Sequence, residues 1–159
     1  MQEENITTVA WDGRYVAADS QITYGDRTRG LSPCQKIKVI DGVVYALSGS
    51  AALFQPMIDW YLAGHDPKEV PTDRPDAGSD LIVFKGGRCT LFCTSMPYPL
   101  EFKAPEAFGS GSSIAQVAMS MGADARRAVE EAIKFDTCSG GDIQIVDLQA
   151  KAAKLKLSA

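Results

Sequence analysis

The residues of this chain that could do chemistry are crowded at a few turns. Thr7 and Thr8 open a short apolar run, and a second run returns through Tyr15-Val16-Ala17-Ala18 to Asp19. Asp12-Gly13 stands between them, a hairpin signal because glycine accepts the positive φ of a tight turn. Folding the runs together carries the Asp19 carboxylate back beside the threonine pair. A threonine hydroxyl is a weak nucleophile and needs a neighbouring base. On this stretch alone, an ordinary hairpin with β-branched threonines would read the same way. Further on, Lys36 and Lys38 alternate with Ile37 and Val39. Alternation places both lysines on one face of a strand, about 7 Å apart; such pairs are usually a solvated face.

Three glycine-bearing turns follow. Leu47-Ser48-Gly49-Ser50 leads from a strand into a helix, and Gly49 would let another group approach its backbone closely. Gly109-Ser110-Gly111 also precedes a helix. It lacks the lysine of a P-loop, which argues against a nucleotide site, and a capped turn or an anion-binding nest are its local readings. Asp136 and Ser139 then stand three residues apart before Gly140-Gly141. A helix stop followed by a strand accounts for those glycines but not for the Asp/Ser pair. His65 is the only histidine and follows a helical stretch at Ala63-Gly64. It reads as a helix-end residue, and no motif supports a Ser-His-Asp triad through it.

The elements that must position these residues belong to one domain. A chain of 159 residues can bury about 70% of its unfolded surface. A net charge of −4 with no basic cluster argues against nucleic acid as a partner. Residues 1–6 lack the features of a signal peptide, and no apolar run is long enough for a membrane span, so a cytoplasmic protein is expected. Four cysteines without a Cys-x-x-Cys predict reduced, mostly buried thiols and no metal site; no cofactor is expected. Further Asp41-Gly42 and Gly86-Gly87 turns predict two more hairpins. Helices are expected over 50–63, with Pro56 kinking or delaying the first, and over 112–121 and 123–135. An edge strand is expected over 98–103 among Pro97, Pro99 and Pro105, and the tail can add one short strand. Pro67, Pro71 and Pro75 exclude a helix between 65 and 79.

Taken in order, the threonine pair, Asp19, Lys36, Gly49, the Gly-Ser-Gly turn and Asp136-x-x-Ser139-Gly140-Gly141 resemble proteasome β-type subunits and their bacterial relatives, threonine peptidases of the N-terminal nucleophile hydrolase class. The resemblance runs from Thr7 to about Asp147. It implies an α+β fold, a four-layer αββα sandwich of two antiparallel sheets, with residues 1–6 as a prepiece and 7–159 as the hydrolase domain. Thr7 would be the nucleophile after the prepiece is removed, Asp19 and Lys36 would tune its amine, and Gly49 would supply the oxyanion hole. Ser110, Asp136 and Ser139 would orient the amine, and Ile22, Cys34, Lys38, Leu47 and Ala51 would line the specificity pocket. It also implies peptide or unfolded-protein substrates, a homo-oligomeric ring and an ATPase unfoldase as partner. The proline-bearing loop where relatives carry a second helix implies altered ring stacking. Ile6 is β-branched where relatives commonly have glycine, so a silent assembly or binding subunit that never frees Thr7 is the competing expectation. A small-amide hydrolase on the same fold is a third.

Overall fold

Tight turns divide the chain into short strands, and the strands collect into two sheets. The computed structural model describes residues 7–72, 78–151 and 153–158, with the backbone only at 158. The prepiece at 1–6 and Pro75 lie outside these residues. The first sheet is formed by β1 (Thr8–Trp11), β2 (Tyr15–Ala18), β8 (Glu106–Gly109), β9 (Ile143–Asp147) and β10 (Leu155–Ser158), in the order β10-β9-β2-β1-β8. The second is formed by β3 (Ile37–Ile40), β4 (Val43–Ser48), β5 (Asp80–Lys85), β6 (Arg88–Cys93) and β7 (Met96–Phe102), in sequence order. Every strand pairing is antiparallel.

Alternation in the strands supplies the layers. Val9, Val16, Ile37, Val44, Ile82 and Phe108 pack together between the sheets. Helix α1 (Phe54–Leu62) covers the outer face of the second sheet, where Met57 and Ile58 bury against Tyr45, Leu81 and Phe92. Helices α2 (Ser112–Ser120) and α3 (Ala125–Phe135) cover the first sheet. Their small residues Ala115, Ala125 and Ala128 allow close approach to Ala10 and Ala17. The result is the expected α+β arrangement of two antiparallel sheets with helices outside each. Among the described residues no helix is long and apolar enough to cross a membrane.

The three glycine hairpins form where expected. Pro56 delays the helix: a 3-10 turn at Ala51–Leu53 precedes α1, which leaves Pro56 in the first helical turn, where its missing N–H costs no bond. His65 ends that helix as read, its N–H donating to the Trp60 carbonyl and its ring stacked on Tyr61. Four readings are corrected. Strand β3 begins at Ile37, so Lys36 precedes it and does not share the face of Lys38. Strand β7 begins at Met96 and contains Pro97 and Pro99; an edge strand tolerates prolines whose N–H would have faced solvent. Strand β8 was not expected, because its pattern is too short to read without its partner β1. Of the four free thiols only Cys89 is buried, and burial, helped by Glu106, pushes its pKa up to about 12.

Ile82 is fully buried between the sheets. Ile82→Ala should cost about 2–5 kcal/mol, read as a lower urea midpoint with an unchanged slope. A loss under about 1 kcal/mol would remove the inter-sheet layer as the main core.

Candidate functional site

Asp19 follows β2 directly and is completely buried. Its Oδ1 accepts the Thr8 N–H at 3.0 Å and Lys36 Nζ at 2.9 Å. Its Oδ2 accepts the N–H groups of Gln21 at 3.2 Å and Gly140 at 3.0 Å. One carboxylate therefore ties together the start of β1, the residue before β3 and the loop before β9. Lys36 is buried as well, with its side chain 5% exposed. Lys38 goes elsewhere: its Nζ lies over the Phe54 ring at 4.7 Å and donates to Gln55 Oε1 at 3.1 Å.

A second network approaches the threonines from the helix side. Asp136 caps the end of α3, and its Oδ2 accepts from Ser110 Oγ at 2.7 Å and Ser139 Oγ at 2.6 Å. A serine hydroxyl has one proton to give. Ser139 gives its proton to Asp136, so the 2.7 Å contact between Ser139 Oγ and Thr8 Oγ1 has Thr8 as donor. Ser110 Oγ also lies 3.4 Å from the Thr7 carbonyl oxygen.

The glycines around Ser110 make room for the threonines. A Cβ at Gly111 would stand 1.9 Å from Thr8 Oγ1, and one at Gly109 would stand 1.9 Å from the Thr7 carbonyl oxygen. The Gly-Ser-Gly turn thus reads as a close backbone approach, neither a nest nor a simple cap. Gly49 is set by a similar constraint. Its φ is +122°, and a Cβ there would fall 2.4 Å from Ser79 Oγ. Ser79 Oγ in turn accepts the Ser50 N–H at 3.0 Å. The Gly49 N–H has no hydrogen-bond partner among the described residues.

The structure therefore brings Thr7, Asp19, Lys36, Ser110, Asp136 and Ser139 into two networks that meet at Thr8, with Gly49 at the end of β4. Of the residues expected to line a specificity pocket, Ile22, Cys34 and Lys38 are half-buried and Ala51 is exposed. Leu47 is 3% exposed, in the core beneath α1. The sequence reading named Thr8 only as half of the threonine pair, without a role of its own, and missed Ser79. Thr8 could have been found as the residue whose neighbour was singled out; nothing in the sequence marks Ser79. Asp80 follows Ser79, and burial pushes its carboxyl up while a hydrogen bond with the Cys93 thiol pulls it back. Among the described residues no group of three His, Cys, Asp or Glu side chains could hold a metal ion.

No family model matches the chain, and no curated protein does. Solved structures do. Thiobacillus denitrificans BPH is similar over 91% of this chain and 99% of its own, with 21% identity and a TM-score of 0.63. The same protein in complex with epoxomicin is similar over the same shares of both chains, with 20% identity and a TM-score of 0.63. At that identity the likeness is one of fold.

Gly111 has an ordinary negative φ, so Gly111→Ala should destabilise through steric crowding, chiefly against Thr8 Oγ1 and less against Ala132 Cβ at 3.0 Å and Asp136 Oδ2 at 3.2 Å, on the order of 3 kcal/mol. Gly78→Ala, whose Cβ would meet nothing nearer than 3.7 Å, should stay within about 0.5 kcal/mol in the same unfolding assay. Equal losses would show that packing on Thr8 is not the cause. For Asp80, a folded pKa above the ordinary 3.8 means that the folded state holds its proton more tightly. That contribution is present below the ordinary value and is lost as pH rises through the raised one. Asp80→Asn should abolish this part of the decline in stability with pH. An unchanged stability–pH curve in the variant would refute the assignment.

Proposed function

We propose that the chain is a threonine peptidase of the N-terminal nucleophile hydrolase type, with Thr7 as nucleophile once residues 1–6 are removed. The observation that carries this reading is the pair of networks meeting at Thr8: Asp19–Lys36 on its N–H and Ser139–Asp136–Ser110 on its hydroxyl. Thr8 has both its N–H and its hydroxyl engaged in holding the strand. Thr7 stands next to it, with Ser110 over its carbonyl.

The chemistry follows from those positions. The free α-amine of Thr7 takes the hydroxyl proton while Oγ1 attacks a peptide carbonyl. Lys36 Nζ and the Thr8 N–H both lie within about 3 Å of the same Asp19 oxygen. That shared oxygen holds the cation beside the residue that follows Thr7, and a cation near the amine would favour its neutral, basic form. The unused Gly49 N–H is the donor for the tetrahedral oxyanion. The amine returns the proton to the leaving nitrogen, and water then hydrolyses the ester on Thr7. Ile22, Cys34, Lys38 and Ala51 would border the substrate side chain; the buried Leu47 would act from behind them.

Exposed Val117 on α2, Met121 just past its end and Phe135 on α3 border an apolar groove, which supports a homo-oligomeric ring. An ATPase unfoldase feeding unfolded protein to that ring is part of the proposal that rests on the family resemblance; a cytoplasmic location is part of it that rests on the sequence of residues 1–6 and the lack of a long apolar run. The competing reading, a silent assembly or binding subunit, is favoured by Ile6, whose β-branched side chain stiffens the turn through which Thr7 would attack its carbonyl.

An amine tied up in a peptide bond cannot serve as a base. The intact chain should therefore be inactive, and a chain beginning at Thr7 should exceed it by about 10²–10⁴-fold on fluorogenic peptides. In the trimmed chain, Thr7→Ala and Lys36→Ala should abolish hydrolysis, whereas Lys38→Ala should change side-chain preference. Epoxomicin, bound by the Thiobacillus protein, should inhibit it. A folded trimmed chain that cleaves no peptide would hand the reading to the assembly subunit. Light scattering that reports a monomer would remove the ring.

A further inference from the structure

Gln144 is the one polar side chain of β9 that lies wholly inside the fold, 2% exposed amid Ile143, Ile145 and Val146. Its amide uses every bond it can make. Oε1 accepts the backbone N–H groups of Lys36 at 2.9 Å and Ile37 at 3.1 Å. Nε2 donates to the carbonyls of Cys34 at 2.7 Å and Asp19 at 3.4 Å. The orientation is forced, because exchanging oxygen and nitrogen would set donor against donor and acceptor against acceptor.

What these four groups have in common is the Asp19–Lys36 pair. Gln144 belongs to the first sheet, where it pairs with Ala18 of β2. Ile37 begins the first strand of the second sheet, and Lys36 immediately precedes it. The Lys36 carbonyl is taken by the Leu47 N–H of β4, so Gln144 holds the remaining backbone polar group of that residue. The amide thus spans the two sheets at the point where the lysine must reach across to the carboxylate. We propose that Gln144 is a positioning residue of the site: it fixes the Lys36 backbone, and through it the distance of the ammonium from Asp19 and from the Thr7 amine. This goes beyond the peptidase reading and rests on it for the effect on catalysis.

Gln144→Met keeps the volume but removes all four bonds. In the trimmed chain Lys36 then sits less firmly beside the amine, and the amine pKa rises. Expected are a fall in kcat of about ten-fold or more, a KM within about threefold, and an acid limb of the kcat–pH profile moved upward by about half a pH unit or more. A folded variant with unchanged kcat overturns the proposal. So does a fall in kcat with an unmoved limb, the pattern of a merely structural residue. If Gln144→Met does not fold, Gln144→Glu decides. It keeps the acceptor for both N–H groups, sets a second acceptor against two carbonyls and adds a charge near Lys36, so the limb should again move upward; an unmoved limb overturns the proposal. If the trimmed parent itself is inactive, the peptidase reading fails separately. Gln144 is then judged by nitrogen-15 NMR of the Lys36 ammonium. Its solvent exchange should rise about ten-fold or more in the variant, and an unchanged rate overturns the proposal.

Discussion

The ion pair between Asp19 and Lys36 is the interaction on which the rest of the structure depends. Both partners are buried, and each is costly without the other. Removing one member of a buried pair typically costs 3–5 kcal/mol, because it leaves an uncompensated charge. Asp19 limits that cost with three backbone donors besides the ammonium, from Thr8, Gln21 and Gly140. Gln21 is a near neighbour, but Thr8, Lys36 and Gly140 come from separate parts of the chain, so the carboxylate is satisfied only when β1, the approach to β3 and the approach to β9 are all in place. Site and fold are therefore not separable here. The groups proposed to tune the nucleophile are also what closes the two sheets at that end.

Local signals made much of this legible from sequence. A glycine after an acid between apolar runs can do little but turn, and the strand pairs around Gly13 and Gly42 followed from it. Helical spacing placed α2 and α3 within a residue or two. What escaped was set by partners far away. Strand β8 has four residues, and only its register along β1, with Thr8 opposite Gly109, makes it a strand. The lysines were misjudged for a related reason. Alternation holds only inside a strand, and β3 starts one residue after Lys36.

The candidate site divides in the same way. Asp19, Ser110, Asp136 and Ser139 could be singled out because each stands in a motif with a turn. Thr8 was hidden by its neighbour, and Ser79 by having no motif. Ser79 matters through space: it fills the position a Cβ at Gly49 would take and holds the next N–H. A sequence shows that Gly49 is glycine, but not which side chain forbids anything larger.

Thr8 would hold the proposed nucleophile in place at the very start of a domain, where chains are usually least ordered. It lies between two strands, its carbonyl accepting the Asp19 N–H at 3.2 Å and its position facing Gly109 of β8. Its own N–H and hydroxyl then reach two separate carboxylates, directly to Asp19 and through Ser139 to Asp136. Four directions of restraint on one residue leave the residue before it little freedom, although that residue lies outside the strand. The position proposed to react could end the chain because the position after it is over-determined. A hydroxyl at position 8 thereby contributes to order at position 7 without taking part in bond making.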